Sequence, residues 1–359
     1  MQTGQRPPLG VIEGFFGAAW SWQERHQLVD FLRARHFDFY IYAPKADIHL
    51  RRHWRLDWPA DIDHALHALR DHCREAGIAF GLGLSPLDLC NPAGQPDRKD
   101  FAQRLKALNR YQPDILGLFF DDMRGDFPHL ATTQASLAAE ACQLSDAQQV
   151  ILCPTYYSDD PVLEKVFGKR PENYWEHLGQ TLPRDIEVFW TGPQVCSPVF
   201  SSEHLTDVAQ RLGRKPFLWD NYPVNDGAKM SRHLHLRPFA AEHAHIKELI
   251  SGHAANPMNQ FHLSQIALAS LPLAYRQGTD YQPQAVYQGL LEDICGSPLA
   301  QHLLQDTALL QDKGLDDMGE SCRQALLQKY SALPASGWQE EILDWLQGHY
   351  AFDPACLTD

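Results

Sequence analysis

Short apolar runs alternate along this chain with longer stretches in which apolar residues recur every three or four positions. A run such as Ile115–Phe120 is typical of a strand that is buried on both faces of a parallel sheet. A stretch such as Trp22–Arg35, with Leu28, Phe31 and Leu32 on one face, is typical of an amphipathic helix. The pattern predicts strands at Gly10–Phe16, Phe37–Ala43, Ala79–Leu84, Ile115–Phe120, Gln149–Thr155, Glu187–Thr191, Pro216–Trp219 and Glu248–Ala254.

The regular alternation of predicted strands and helices indicates the α/β class. Eight strands predict a (β/α)8 TIM barrel over residues 8–277, because an open doubly wound sheet usually has fewer strands. The weakest element is the seventh helix, whose position is taken by a segment rich in His and Arg at residues 227–247. After Tyr275 the pattern is helical without strand-like runs, so we expect a small all-helical C-terminal domain over residues 278–359. The helices predicted there are Gln284–Ile294, Leu299–Gln311, Met318–Leu333 and Gln339–Gln347.

The composition narrows the possible environments of the protein. The formal net charge of −14 disfavours tracking of a nucleic-acid backbone. Residues 1–8 contain no apolar signal-peptide core, and no apolar run approaches the length of a membrane span. The eight cysteines form no Cys-x-x-Cys pair, which disfavours structural zinc and suits a reducing compartment. We therefore predict a cytoplasmic protein without nucleic-acid or membrane partners.

Polar residues follow most of the predicted strands at their C-terminal ends. Asp121 and Asp122 come directly after the fourth strand, and two adjacent acids are costly to bury without partners. Each residue alone has a structural explanation, such as a turn for the acids, a surface position for Lys45 or core packing for Trp219. In a barrel, however, these strand ends meet at the mouth where ligands bind. Acids, amides and aromatic residues with few basic groups are typical of a carbohydrate pocket.

Four histidines between the seventh and eighth strands form a competing candidate site. His233, His235, His243 and His245 include a His-x-His spacing that is compatible with a metal ion. Such a pair would most naturally enter a barrel metal site at the end of the first strand, and the arginines nearby disfavour a cation. We therefore interpret this segment as a solvated loop.

A known family has a closely similar set of strand-end motifs. In this sequence the motifs are, in order, Gly10-Val-Ile-Glu-Gly-Phe-Phe-Gly17 with Trp20-Ser-Trp22, Tyr42-Ala-Pro-Lys45, Phe119-Phe-Asp-Asp122, Cys153-Pro-Thr-Tyr-Tyr157, Trp190-Thr-Gly-Pro-Gln-Val195, Trp219-Asp-Asn221 with Asn225-Asp226, and Asn256-Pro257. Together they resemble glycoside hydrolase family 84, which contains O-GlcNAcases and bacterial β-N-acetylglucosaminidases. The resemblance extends from residue 10 to about residue 275, and residues 283–359 carry no matching motif.

The resemblance implies a retaining exo-β-N-acetylglucosaminidase that uses substrate-assisted catalysis. The carbonyl oxygen of the substrate's own 2-acetamido group would attack the anomeric carbon and form an oxazoline intermediate. Asp121 would orient and polarise the acetamide N–H. Asp122 would act as general acid and then as general base. We expect burial and the neighbouring charge to raise the pKa of Asp122 for this role.

The resemblance also implies roles for other residues of the predicted mouth. Gly14, Lys45 and Asn256 would contact sugar hydroxyls, and Asp226 would bind the distal hydroxyls O4 and O6. The remaining expected contacts concern the acetamide and the pocket entrance: Tyr157 would hydrogen-bond the acetamide oxygen, Asn221 would order this region, Thr191 and Trp219 would line the methyl pocket, and Val195 would line the entrance together with Cys196. No metal or cofactor is implied, and the expected partner is a GlcNAc-bearing glycoside or glycopeptide.

One departure from the family leaves other functions open. Phe16 stands where the family usually has Tyr, so one hydroxyl near the site is missing. A catalytically weak glycan-binding barrel is therefore one alternative. A metal-dependent barrel hydrolase that uses the histidines of residues 233–245 is another, and a non-enzymatic scaffold is a third. The sequence does not determine the oligomeric state, the leaving group of the substrate or the preference for GlcNAc over GalNAc.

Overall fold

The protein is a closed barrel of eight parallel strands, in which each strand pairs with the next along the chain and the eighth pairs with the first. The computed structural model describes residues 6–89 and 96–352. This architecture confirms the predicted (β/α)8 barrel. The strands are β1 (Leu9–Glu13), β2 (Phe39–Tyr42), β3 (Ala79–Leu84), β4 (Ile115–Phe119), β5 (Gln149–Cys153), β6 (Ile186–Trp190), β7 (Phe217–Asp220) and β8 (Gly252–Ala255).

Several strands end earlier than their apolar runs predict. β1 stops at Glu13, three residues short of the prediction, because the Gly14 N–H turns back to the Ile12 carbonyl oxygen at 2.9 Å. β4 stops at Phe119, and the Phe120 N–H donates one more bond to the Cys153 carbonyl oxygen. The apolar residues after these strands therefore belong to the loops at the mouth of the barrel.

Helices surround the barrel, and some of their boundaries follow local capping signals. Helix α1, for example, begins after Ser21, whose side chain accepts the Glu24 N–H while Glu24 accepts the Ser21 N–H. The helices of the barrel are α1 (Trp22–Ala34), α2 (Ala60–Ala76), α3 (Arg98–Leu108), α4 (Leu130–Leu144), α5 (Val162–Phe167), α6 (Tyr174–Thr181), α7 (Ser202–Leu212), α8 (Phe261–Leu268) and α9 (Ser270–Gln277). The short helix α5 was not predicted, because six residues are too few for a periodic pattern.

The segment that replaces the seventh helix contains two short 3₁₀ turns, Met230–Arg232 and Ala241–His245. It carries the buried residues Leu234 and Leu236 into a second hydrophobic core, which it shares with the C-terminal helices. Trp345 belongs to the same core, and its indole N–H donates to the Ser231 carbonyl oxygen at 3.0 Å. The C-terminal helices are α10 (Pro283–Cys295), α11 (Ser297–Thr307), α12 (Gly314–Asp317), α13 (Glu320–Ser331) and α14 (Gly337–Gln347).

This shared core ties the C-terminal helices to the β7–β8 connection and to the start of α8. The division into a barrel at residues 8–277 and a separate helical domain at residues 278–359 therefore stays a prediction. Over residues 6–89 and 96–352, the structure contains no helix that is long and apolar enough to cross a membrane.

The interior of the barrel is filled mainly by aromatic side chains. The Phe119 ring packs edge-on against Phe189 and Trp219, and Phe189 also packs against Phe217. Trp219 ends this stack at the C-terminal end of the strands. It therefore forms the floor of the mouth, on which the candidate site is built.

Candidate active site

A cavity of about 510 Å³ opens at the C-terminal ends of the strands. Every residue to which the family resemblance assigns a role lines this cavity: Gly14, Lys45, Asp121, Asp122, Tyr157, Thr191, Val195, Trp219, Asn221, Asp226 and Asn256. These residues lie at the C-terminal ends of seven of the eight strands or in the loops that follow them, and only β3 contributes none of them. Parallel strands in a closed barrel explain the convergence, because all of their C-terminal ends lie on the same side.

The adjacent carboxylates after β4 are held by two cations. Lys45 Nζ lies between them, bonded to Asp121 Oδ2 and, at 2.8 Å, to Asp122 Oδ2. Arg51 Nη2 donates to the same Asp122 oxygen at 3.1 Å. Lys45 and Arg51 are both buried, so these charge-assisted bonds are shielded from water.

The two carboxyl groups have pKa values that are shifted in opposite directions. Burial raises the pKa of Asp121 above its ordinary value, and Lys45 only partly offsets this effect. Burial acts in the same direction on Asp122, but Lys45 and Arg51 together outweigh it and lower the pKa. The predicted raised pKa of Asp122 is therefore wrong, because no sequence pattern indicated that Arg51 contacts this carboxylate.

Asp121 has an unused hydrogen-bond acceptor in the site. Its Oδ1 atom is buried and has no hydrogen-bond partner among the described residues, although its Oδ2 atom is bonded to Lys45. A buried acceptor without a donor is unfavourable unless a ligand supplies one. The atom therefore suits a substrate N–H or O–H group in the cavity.

Tyr157 and Thr191 lie on neighbouring strand ends and are joined through their backbones. The Thr191 N–H donates to the Tyr157 carbonyl oxygen at 3.0 Å, and the Thr191 hydroxyl donates to the Gln194 carbonyl oxygen. Burial and then the charges of Asp122 and Asp121 raise the pKa of Tyr157 well above its ordinary value. The Tyr157 hydroxyl therefore stays protonated and is a hydrogen-bond donor in the cavity.

Asn221 organises the side of the cavity above β6, β7 and β8. Its Oδ1 atom accepts bonds from the Trp219 indole N–H at 3.1 Å and from Asn256 Nδ2 at 2.9 Å. Its Nδ2 atom donates to the Val195 carbonyl oxygen at 2.8 Å. The Asn221 amide thus fixes the positions of Trp219, Asn256 and Val195 relative to one another.

Gly14 allows the backbone of β1 to approach the indole ring closely. A Cβ atom at this position would lie 2.4 Å from the Trp219 ring, which is far inside contact distance. The Gly14 N–H donates to Asn256 Oδ1 at 3.2 Å. Because Gly14 has no side chain, the predicted site residues Gly14, Trp219 and Asn256 can pack against one another.

Asp226 lies at the side of the mouth formed by the end of β1. Its Oδ2 atom accepts the Phe16 N–H at 2.8 Å, and burial raises its pKa. The Phe16 ring lies 5.1 Å from the Arg51 guanidinium and 5.6 Å from Lys45 Nζ. The phenylalanine that departs from the family pattern thus packs against the two cations that hold Asp122.

Behind Trp219 and Asn221 lies a buried network centred on Asp220. Its Oδ2 atom bonds to His243 Nε2 at 2.9 Å and to His253 Nε2 at 3.2 Å, and His253 Nδ1 bonds to the Tyr275 hydroxyl. These bonds help to lower the pKa of Asp220, although burial opposes them. The network therefore holds the end of β7 at Asp220, whose two neighbours in the sequence, Trp219 and Asn221, line the cavity.

The interpretation of residues 227–247 as a solvated loop is wrong for two of its histidines. His235 and His243 are buried, and His235 bonds to the carbonyl oxygens of Pro223 and Val224. The reason is that this segment packs between the barrel and the C-terminal helices. Periodicity gave no sign of this packing, because the segment is not a regular helix.

The four histidines do not form a common set of metal ligands. Only His243 joins a group of candidate donors, with Asp220 and His253, whose ligand atoms lie within 4.8 Å of one another. Direct hydrogen bonds already link these atoms, and none of the three residues lines the 510 Å³ cavity. Their arrangement fits a structural hydrogen-bond network better than a catalytic metal centre.

Sequence reasoning missed Arg51 and the Asp220 network. Arg51 follows a short 3₁₀ turn, Ile48–Leu50, and stands in no recognised motif. His253 lies within the predicted eighth strand, where a polar residue among apolar ones was the only available signal. Both contacts join residues that are distant in the sequence.

Comparisons with known proteins agree with this geometry. A profile of the β-N-acetylglucosaminidase family matches residues 9–307. The chain is 27% identical over 320 residues to the protein O-GlcNAcases of Rattus norvegicus and Mus musculus, and the match covers 86% of this chain. It covers 33% of each relative, so the chain spans about a third of their length.

Solved structures share the same architecture. A mutant O-GlcNAc hydrolase of Thermobaculum terrenum superposes with a TM-score of 0.75 at 27% identity, over 95% of this chain and 80% of its own. The structure of CpGH84B superposes with a TM-score of 0.76 at 23% identity, over 96% of this chain and 67% of its own. At that lower identity, the second comparison supports the fold.

Proposed function

Because the chain belongs to the β-N-acetylglucosaminidase family of glycoside hydrolases, family 84, we propose that it is a retaining exo-β-N-acetylglucosaminidase. Its substrate would be a terminal β-linked GlcNAc, as in O-GlcNAc-type glycosides, and its reaction would pass through an oxazoline. The observation that carries this proposal is the pair Asp121 and Asp122 in one cavity, with Asp121 Oδ1 buried and without a donor.

In this proposal the sugar binds with its distal hydroxyls at Asp226 and its anomeric carbon near Asp122. Asp226 lines the cavity, and its Oδ2 atom accepts the Phe16 N–H. Lys45 Nζ would donate to a ring hydroxyl, and the Gly14–Asn256 pair would lie beside the ring. The Trp219 indole would form an apolar surface for the acetamide methyl group.

The first step would use the substrate as its own nucleophile. Asp121 Oδ1 would accept the acetamide N–H, which increases the electron density on the carbonyl oxygen as this oxygen attacks C1. The Tyr157 hydroxyl would donate to the same carbonyl oxygen and hold it in line with C1. The C1–O bond to the leaving group would break as Asp122 transfers its proton to that oxygen.

In the second step, water would cleave the C1–O bond of the oxazoline, and Asp122 would act as the base. Asp122, now ionised, would take a proton from water as the water oxygen attacks C1 of the oxazoline. The C1–O bond of the oxazoline would break, and its electron pair would restore the acetamide. Two inversions at C1 would give a product that retains the β configuration.

Asp122 must be protonated for the first step, although Lys45 and Arg51 lower its pKa. A sugar hydroxyl that binds Lys45 Nζ would replace the Lys45 bond to Asp122 Oδ2. The bound substrate would also exclude water from the cavity. Both changes raise the pKa of a carboxyl group. Substrate binding would thus favour the protonated form of Asp122.

Substitution of Asp122 tests the proposal. Asp122→Asn should lower kcat/KM by about 10²–10⁴-fold for a glycoside with a poor leaving group, the range typical of a general acid. Activated aryl N-acetyl-β-glucosaminides, whose leaving groups need no proton, should lose much less. Asp121→Asn, which affects attack by the acetamide, should lower the rates of both substrates. Equal losses on both substrates in the Asp122 variant would contradict the acid role.

The same assays separate the alternatives. A catalytically weak glycan-binding barrel would bind GlcNAc but would not turn over an activated aryl N-acetyl-β-glucosaminide. A metal-dependent hydrolase would lose activity on chelation, whereas the substrate-assisted reaction should be unchanged. A scaffold would keep its cellular role when Asp121 is replaced.

We also propose a cytoplasmic location and a GlcNAc-bearing glycoside or glycopeptide as the partner. The cysteines in the described part of the chain are free thiols, which suits a reducing compartment. Quantitative thiol labelling of the native protein from its cell, without reductant, would check this assignment. Quantitative disulfide formation would contradict it.

A further inference from the structure

The cavity is larger than the sugar site and has an apolar side opposite Asp226. This apolar wall consists of Val162, Leu163, Val166 and Phe167 of α5, with Val195 beside them. The first four residues follow the i, i+1, i+4, i+5 spacing of one helix face, whereas Glu164 and Lys165 do not line the cavity. Helix α5 therefore turns its apolar face to the same space as Asp122.

The order of the strands places this wall on the leaving-group side. Asp226 is bonded to Phe16 at the end of β1, and α5 follows β5. In a closed barrel of eight consecutive strands, β5 lies across from β1. C4 and C1 are opposite atoms of a pyranose ring, so a sugar with O4 at Asp226 points its glycosidic oxygen towards α5.

Hydrogen bonds attach both ends of α5 to the catalytic loops. At its start, Asp160 accepts the Val162 N–H at 3.0 Å and the Val195 N–H at 3.2 Å. At its end, the Phe167 carbonyl oxygen accepts the Gly125 N–H, in the loop after Asp122, at 2.9 Å. The apolar wall is therefore a preformed part of the site rather than a free loop.

Two side chains of this wall are unusually exposed for their type. Val166 is 66% exposed and Val162 is 39% exposed, and both line the cavity. A second sugar in this position would need hydroxyl partners, but the α5 wall offers only aliphatic and aromatic side chains. Arg124, which also lines the cavity, donates to the Asp126 carboxylate. Burial of the exposed valines by an apolar leaving group would release water from both surfaces.

We propose that Val162, Val166 and Phe167 form a leaving-group subsite that selects β-GlcNAc glycosides with apolar leaving groups. The occupant is the apolar side chain next to a glycosylated Ser or Thr, and not a second sugar. This inference rests on the proposed function, because it places the glycosidic oxygen at Asp122.

The test compares three substrates, with chitobiose as a fourth, on the whole 359-residue chain. They are a glycopeptide with Val and Leu beside its GlcNAc-bearing Ser, the same peptide with Gly and Ser in those places, and trifluoroethyl β-N-acetylglucosaminide. The wild type should prefer the apolar glycopeptide over the polar one by about tenfold in kcat/KM, which corresponds to about 1.4 kcal/mol. Chitobiose should be cleaved no faster than the polar glycopeptide.

Val166→Ser should remove most of this preference by lowering kcat/KM for the apolar glycopeptide towards the value for the polar one, whose Gly and Ser leave the exposed Val166 side chain uncovered. The matched control is Leu304→Ser, since Leu304 is also a helical apolar residue, 41% exposed, and lies outside the cavity. Cleavage of the trifluoroethyl glycoside without any preference between glycopeptides, or a preference that survives Val166→Ser, would overturn this inference alone. Failure to cleave the trifluoroethyl glycoside would overturn the proposed function.

Discussion

At the scale of single residues, Arg51 is the main addition that the structure makes to the site. It lies against Asp122 and over the Phe16 ring, and its charge helps to keep Asp122 ionised. The departure at Phe16 and the Arg51 contact are therefore parts of one local arrangement.

The Arg51 contact leads to a prediction about pH dependence. Arg51→Gln removes a cation that lowers the pKa of Asp122, so this pKa should rise and the protonated acid should persist to higher pH. The alkaline limb of the kcat/KM profile should therefore move to higher pH, as measured with a poor leaving group. Arg55→Gln, which breaks an exposed ion pair with Asp100, is the control. An unmoved alkaline limb in a folded Arg51 variant would contradict the assigned contact.

A second prediction at this scale concerns Gly14. Gly14→Ala should displace the Trp219 ring, because the added Cβ atom would lie 2.4 Å from it. We expect KM for an aryl N-acetyl-β-glucosaminide to rise at least about tenfold, which is the effect of about 1.4 kcal/mol of lost binding. Gly289→Ala, where the backbone is helical and the Cβ atom meets nothing within 4 Å, is the matched control. Unchanged KM in the Gly14 variant would argue against close packing at this point.

At the scale of elements, the β7–β8 connection does more than close the barrel. It supplies His243, which with His253 of β8 holds Asp220 at the end of β7. Trp219 and Asn221 flank Asp220 and line the cavity. The irregular connection therefore supports the Trp219–Asn221 side of the cavity from behind.

Asp220→Asn tests this support. Both histidines bond to the same Asp220 oxygen, and the amide removes the negative charge that strengthens these buried bonds, so we expect a cost of about 1–3 kcal/mol in unfolding free energy. We also expect a lower kcat, since Trp219 and Asn221 would shift. Asp71→Asn, on an exposed part of α2, should change stability by less than about 0.5 kcal/mol. Unchanged unfolding free energy and unchanged kcat in the Asp220 variant would show that the network is dispensable.

At the scale of the whole molecule, the C-terminal helices and the barrel share a hydrophobic core. Trp345 of α14 is fully buried in that core and is bonded to Ser231 of the β7–β8 connection. Phe352, beyond α14, lines the catalytic cavity. The helical region is therefore joined to the segment that supports the site.

Trp345→Ala should destabilise the whole protein rather than the C-terminal helices alone. A buried Trp-to-Ala change costs about 3–5 kcal/mol, and the core that it weakens includes residues of the barrel. Circular dichroism and loss of activity on heating should show one common transition at a lower temperature than in the wild type. Separate melting of the helices with retained activity would support the predicted boundary at residue 277 instead.

The pH dependence of stability should also reflect this buried region. Burial lowers the pKa of His235 and of His253 below the ordinary value of 6.5, so the unfolded chain takes up protons before the folded protein does. Above pH 6.5 these two histidines therefore do not lower the free energy of unfolding. As the pH falls below that value, they lower it progressively. The melting temperature should fall between pH 7.5 and 5.5, and the fall should be smaller in His235→Gln. An equal fall in both proteins would contradict the assignment to His235.

The sequence alone determined the barrel and the residues around its mouth. Apolar runs and helical periodicity are local properties, so they located eight strands and most helices within a few residues. Motifs at the strand ends named the residues that line the cavity, because a parallel barrel brings all such ends together.

Only the tertiary structure decided what surrounds these residues. Asp122 meets Lys45 and Arg51 from positions 77 and 71 residues away, and these contacts set the direction of its pKa shift. The burial of His243 and the apolar wall of α5 likewise depend on neighbours that are distant in the sequence. Charge and desolvation act through space. A local sequence pattern can therefore identify the residues of a site, but it does not determine their protonation states or which residues surround the leaving group.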